Sequence, residues 1–81
     1  MVKVMLWGSL KAAAGGNTEV HVEASNIRQM LNAVAEAHPG LEQVIEQGIS
    51  VSIDGQMHRE GGFEPVTEES EIYLFPKLEG G

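Results

Sequence analysis

Eighty-one residues make one domain, with a core large enough to fold alone on a small margin. Hydrophobic residues at 42% and charged residues at 21% mark a globular chain rather than a disordered one, and the lack of cysteine excludes disulfides, thiolate metal sites and a cysteine nucleophile. Twelve acidic against five basic residues give a net charge of −7, and Lys3, Lys11, Arg28, Arg59 and Lys77 are scattered, so binding to a nucleic-acid backbone is not expected.

The chain opens on "VKVMLW", which reads as a strand with Val2, Val4 and Leu6 on one face and Lys3, Met5 and Trp7 on the other. "AAAGGN" supplies a turn, and "TEVHVE" reads as a second strand with Val20 and Val22 inward, so the two form a hairpin with a long connection. The period then changes. Ile27, Met30, Leu31 and Val34 make a helical stripe, with Ser25 as the expected N-cap and His38-Pro39-Gly40 as the stop. "LEQVIEQG" suggests a short second helical turn carrying Leu41, Val44 and Ile45. Val51 and Ile53 alternate with serines, Asp54-Gly55 is a hairpin turn, and a short partner strand covers Gln56 to His58. A loop follows in which Phe63 and Val66 are expected to tuck against the core. The last strand, "EIYLFP", places Ile72 and Leu74 on one face and Tyr73 and Phe75 on the other before Pro76 ends it.

A single long helix must cover one face of a mixed sheet, which predicts a two-layer α+β domain. Met5, Trp7, Tyr73 and Phe75 would then point away from the helix, three of the four aromatic residues in the chain among them. Aromatic and methionine side chains are enriched at interface cores, and apolar patches on small domains mark interfaces, so these four are candidate partner-binding residues. The alternative is that a loop or the chain's own tail covers them. His21, His38 and His58 lack metal-ligand spacing; His21 and His58 are expected to face solvent. The run Glu68, Glu69, Glu71 reads as a solvated turn, and the net acidity either steers a basic protein partner or only confers solubility. With no basic leader and no long apolar stretch, the expectation is a cytoplasmic protein without membrane contact.

The sequence ends on "FPKLEGG". With 10 glycines in 81 residues, two at the end arise by chance in about 1.5% of such chains, so the ending carries information. The opening "VKVMLWGSL", the "HPGL" break, the "VSIDG" hairpin and the close "EIYLFPKLEGG" together resemble the ubiquitin-like β-grasp sulfur carriers, most of all the small subunit of molybdopterin synthase. The resemblance spans the whole chain, and the terminal Gly80-Gly81 after a proline is its most specific part. The chain departs from the family pattern at Glu69-Ser70-Glu71, where a Gly-Asp-Glu turn is common, and at Glu79, where a small residue is common.

The resemblance implies a β-grasp domain over residues 1–76, with a mixed four- to five-stranded sheet and one main helix in the order ββαββ, and a flexible tail over residues 77–81. It also implies a chemistry. A ubiquitin-activating-type adenylating enzyme would use ATP to activate the carboxylate of Gly81, and sulfur from a sulfur-mobilising protein would displace AMP to leave a thiocarboxylate. Gly80 would give clearance in a narrow channel, since glycine has no side chain to obstruct it. The large subunit of molybdopterin synthase would receive the tail, with Lys77 a further candidate contact. By this reading the domain binds no cofactor and has no catalytic residue apart from its terminus. Carriage of sulfur for thiamine, cysteine or tRNA thiolation, protein modification through isopeptide bonds, and a plain binding module are the alternatives.

Overall fold

The structure is a computed structural model that describes residues 1–59 and 62–76. Eight elements follow in chain order: β1 (Val2–Leu6), α1 (Leu10–Ala13), β2 (Glu19–Val22), α2 (Ile27–Ala37), α3 (Pro39–Gln47), β3 (Ile49–Ile53), β4 (Gln56–Arg59) and β5 (Ile72–Pro76). The strands form one mixed sheet in the order β2-β1-β5-β3-β4. β1 and β5 pair in parallel at its centre, Val4 opposite Ile72 and Leu6 opposite Leu74, and every other pairing is antiparallel.

Alternation decides which face is covered. Val2, Val4, Leu6, Val20, Val22, Ile49, Val51, Ile53, Ile72 and Leu74 are all buried, and they meet Ile27, Met30, Leu31 and Val34 of α2 and Leu41 of α3 in one cluster. The core therefore lies between one face of the sheet and the helical layer, and the other face stays open. No buried side-chain nitrogen or oxygen among the described residues lacks a hydrogen-bond partner.

Local chemistry sets the helix ends. The N-cap of α2 is Asn26 rather than Ser25: its Oδ1 accepts from the Gln29 N–H at 2.8 Å, while the Gln29 Oε1 accepts from the Ser25 N–H at 2.9 Å. A start one residue later puts Gln29 three positions after the cap, where it can bond back, and this reciprocity favours Asn26. α2 stops at His38 as expected. α3 runs nine residues, longer than the short turn expected, with Pro39 in its first turn where the missing N–H costs nothing.

Gly40 is where α1 and α3 meet. A Cβ there would lie 2.4 Å from the Ala13 carbonyl oxygen, a backbone atom that cannot swing aside. α1 is itself missing from the sequence reading, being one turn long and anchored by a fully buried Leu10.

Two further contacts fix the ends of β5 and α2. Asp54 and Gly55 both have positive φ, 50° and 85°, as a two-residue hairpin turn of the primed kind requires. The Asp54 N–H donates to the Glu71 carbonyl and the Glu71 N–H to the Asp54 Oδ1, both at 2.9 Å, so this turn also sets where β5 begins. After β4, the Gly62 and Glu64 carbonyls accept from the Arg28 and Ile27 N–H groups at 3.1 and 3.0 Å, satisfying the first turn of α2. Val66 of this loop is buried as expected, but Phe63 is 72% exposed. The carbonyls on either side of Phe63 are committed to the helix end, and its ring lies outside, 5.9 Å from the Arg28 guanidinium. Glu68 accepts from the Met1 amine, which holds the amine above and the carboxyl below their ordinary values; both are exposed, so the pair adds little stability.

Gly40→Ala should lower stability by about 1–3 kcal/mol through overpacking against Ala13, although alanine is the better helix former. Urea or thermal unfolding checks this, and an unchanged or higher midpoint would contradict the packing described.

Candidate functional site

The open face of the sheet carries the side chains singled out above. Met5 stands in register with Tyr73 across the parallel ladder, and Tyr73 and Phe75 face Ser52 and Ser50 on β3. The Trp7 N–H donates to the Leu74 carbonyl at 3.0 Å, continuing the ladder one residue past β1 and setting Trp7 beside Phe75. Their ring centroids lie 5.6 Å apart at 41°, and those of Tyr73 and Phe75 lie 6.3 Å apart at 25°. Both are favourable aromatic separations. Trp7 is 56% exposed, and Met5, Tyr73 and Phe75 are half-buried.

One member of this face escapes the sequence reading. Met57 on β4 is 62% exposed and in register with Ser52. One row thus crosses four strands as Met5, Tyr73, Ser52, Met57, with Glu19 of β2 beyond Met5. The signal was present. A two-residue Asp-Gly turn forces Ile53 opposite Gln56, so Met57 must share the face of Ser52 and oppose that of Ile53. The same register puts His58 opposite Val51 on the helix side, half-buried rather than solvent-facing as expected. His21 is exposed, with its Nε2 2.9 Å from the Glu19 Oε2. With Lys3 in register beside His21, these residues give the apolar face a charged border at the β2 edge.

Gly8 has φ 62°, and a Cβ there would meet the Pro76 ring at 3.6 Å. The end of β5 therefore lies against the turn that follows β1, with Trp7 and Phe75 on its open side. Lys77, Gly80 and Gly81 lie outside the described residues, as does the boundary of the expected tail over residues 77–81.

Elsewhere the molecule presents little chemistry. Among the described residues, an open groove lies between α2 and α3, floored by Leu31, Ala35 and Ile45 and edged by Glu36, Glu42 and Glu46. No group of three or more His, Asp or Glu among the described residues is placed to hold a metal ion. No helix among them is long and apolar enough to cross a membrane.

The chain is similar to solved structures over nearly its whole length. It shares 28% identity with SAMP1 from Haloferax volcanii, with a TM-score of 0.72 over 99% of this chain and 98% of that one. A second structure, of H. volcanii small archaeal modifier protein 1, shares 27% identity with a TM-score of 0.72 over 95% of this chain and 97% of that one. A chain of the Amycolatopsis orientalis BexX/CysO complex shares 21% identity with a TM-score of 0.76 over 100% of both chains, a likeness of fold alone. No protein-family model and no curated protein sequence matches the chain. The five-stranded mixed sheet with a helix packed across it is the ubiquitin-like β-grasp fold.

Trp7→Ala should leave the domain folded and cost no more than about 1 kcal/mol, the scale of one exposed aromatic pair. Leu74→Ala, wholly buried in the adjoining register position, should cost about 2–5 kcal/mol. Parallel thermal melts of the two variants decide between an open and a structural face, and a larger loss for Trp7→Ala would show the face to be structural.

Proposed function

We propose that this chain is a carrier whose Gly81 carboxylate is activated as an acyl-adenylate and converted to a thiocarboxylate that donates sulfur. The observation that carries the reading is full-length similarity to a β-grasp protein at 28% identity in a sequence that closes on Gly80-Gly81. The specific assignment we favour is the small subunit of molybdopterin synthase, on the strength of the "HPGL" break, the "VSIDG" hairpin and the "EIYLFPKLEGG" close.

The chemistry explains the need for partners. A carboxylate is a poor acyl donor because oxide is a poor leaving group. Attack of a Gly81 carboxylate oxygen on the α-phosphorus of ATP, held by a separate adenylating enzyme, would release pyrophosphate and form the mixed anhydride. A hydrosulfide equivalent from a sulfur-mobilising protein would add at the carbonyl carbon and expel AMP, leaving a C–S bond where a C–O bond had been. The chain has no cysteine, so in this scheme the sulfur would come from a separate protein. Trp7, Phe75, Tyr73 and Met5, around the point where the chain leaves β5, would dock the adenylating enzyme and then the acceptor subunit, with Lys77 and Gly80 entering those contacts. The ordering of aromatic and thioether groups on an otherwise rigid sheet suits a reusable docking face.

A second reading draws on the same similarity, since both Haloferax volcanii structures similar to this chain are of SAMP1, a small archaeal modifier protein. There the activated Gly81 carbonyl would be attacked by a lysine amine to give an isopeptide. Both readings share the adenylation step and part afterwards.

Incubation with an adenylating enzyme of the ubiquitin-activating class, ATP and a sulfur donor should give an intact mass in which one sulfur has replaced one oxygen at Gly81. A chain extended by one alanine after Gly81 should show no such shift, because its reactive carboxylate is displaced. If neither chain gains sulfur while lysine adducts accumulate on other proteins, the modifier reading replaces the carrier one. Trp7→Ala should weaken binding to the adenylating enzyme about tenfold or more, as read by titration calorimetry.

A further inference from the structure

We infer that Met57 is an oxidation site that governs docking at the open face of the sheet, an inference that rests on the docking role proposed above. Its basis is the placement of sulfur in this chain. There is no cysteine, so the four methionines carry all the side-chain sulfur, and no thiol competes with them for an oxidant. Their surroundings differ sharply. Met30 is wholly buried in the core, and Met5 is half-buried, whereas Met57 is 62% exposed. Met1 is 59% exposed but lies before β1, at the opposite end of that strand from Trp7.

Met57 and Met5 close the two ends of the row that runs through Tyr73 and Ser52. A thioether at such a position is apolar, polarisable and able to repack against different partners. Reaction with hydrogen peroxide breaks the O–O bond and transfers one oxygen to sulfur as a sulfoxide, the other leaving as water. Sulfur loses two electrons and the peroxide gains two. The product is polar and chiral, and thiol-dependent reductases reverse it. On a face that binds by burying apolar area, a sulfoxide dipole at Met57 must be desolvated without a matched donor, so docking weakens while the core, whose only methionine is Met30, is untouched.

The test uses the full chain and an immobilised adenylating enzyme of the ubiquitin-activating class as the probe. After limited hydrogen peroxide, peptide mapping should place oxygen on Met57 ahead of Met5 and spare Met30. The oxidised chain should bind about tenfold more weakly than the same chain before treatment, and methionine sulfoxide reductase should restore it. For Met57→Leu, the affinity measured before peroxide, whatever its value, should be the same afterwards. Unchanged binding by the oxidised chain, or an equal loss in Met57→Leu, overturns the inference. If the untreated chain fails to bind the enzyme at all, the docking role itself has failed and the inference falls with it; retained binding after oxidation sinks the inference alone.

Discussion

Strands β1 and β5 come from opposite ends of the sequence and yet run side by side in the same direction. Parallel neighbours cannot be joined by a tight turn, and the intervening chain here supplies the helical layer and the β3–β4 hairpin. The result is that both strands finish at the same end of the sheet. Trp7 bonds through its backbone to Leu74, and Gly8 lies against Pro76, so the chain leaves β5 flanked by the residues that follow β1. Any chemistry carried beyond Pro76 therefore begins beside an aromatic cluster whose members are far apart in sequence.

The two faces of that ladder answer to different physical demands. On the helix side Val4, Leu6, Ile72 and Leu74 are essentially inaccessible to water, and packing of this kind fixes size and shape closely. On the open side, Trp7 is exposed while Met5, Tyr73 and Phe75 are half-buried, so folding gains only part of what full burial of these apolar groups would give. Alternating polar residues would serve an open face better, as Glu19 and His21 do on β2 and Lys3 does at the start of β1. Stability accounts for the first set of residues in full and for the second only in part, which leaves room for the docking role proposed above.

How far the sequence alone reaches depends on how local each determinant is. Period-2 alternation in Val2–Leu6 and Ile72–Pro76 and the 3.6 period through Ile27, Met30, Leu31 and Val34 suffice for the sheet, the main helix and the faces they bury. The Asp54-Gly55 turn is equally local, and its register already implied the outward position of Met57. The failures occur where distant backbone decides. Phe63 is exposed because its neighbours' carbonyls serve the start of α2, and α1 exists because Leu10 has a pocket and Gly40 gives it room. Asn26 displaces Ser25 as the cap through a reciprocal bond with Gln29 that composition could not rank. The face around Trp7 was legible as alternation, and its assembly into one cluster followed from the β-grasp resemblance, which makes the first and last strands neighbours as the parallel ladder has them.

The proposed chemistry also bears on what the domain leaves out. An acyl-adenylate or thioester tethered to a protein meets that protein's own nucleophiles at an effective concentration of the order of millimolar for a short flexible link. A thiol on the same body would capture the activated carbonyl before sulfur transfer from outside. Thioethers carry no proton to lose and form only reversible sulfonium adducts, so methionine can supply apolar, adaptable surface near an activated terminus where cysteine could not. Under the proposed role, a chain with four methionines and no cysteine, two of those methionines bounding the open face, would offer a soft docking surface without a thiol to capture its own activated terminus. The same substitution of thioether for thiol leaves oxygen transfer as the lasting reaction open to those side chains, which would tie the chemical restraint of the domain to the peroxide sensitivity inferred for Met57.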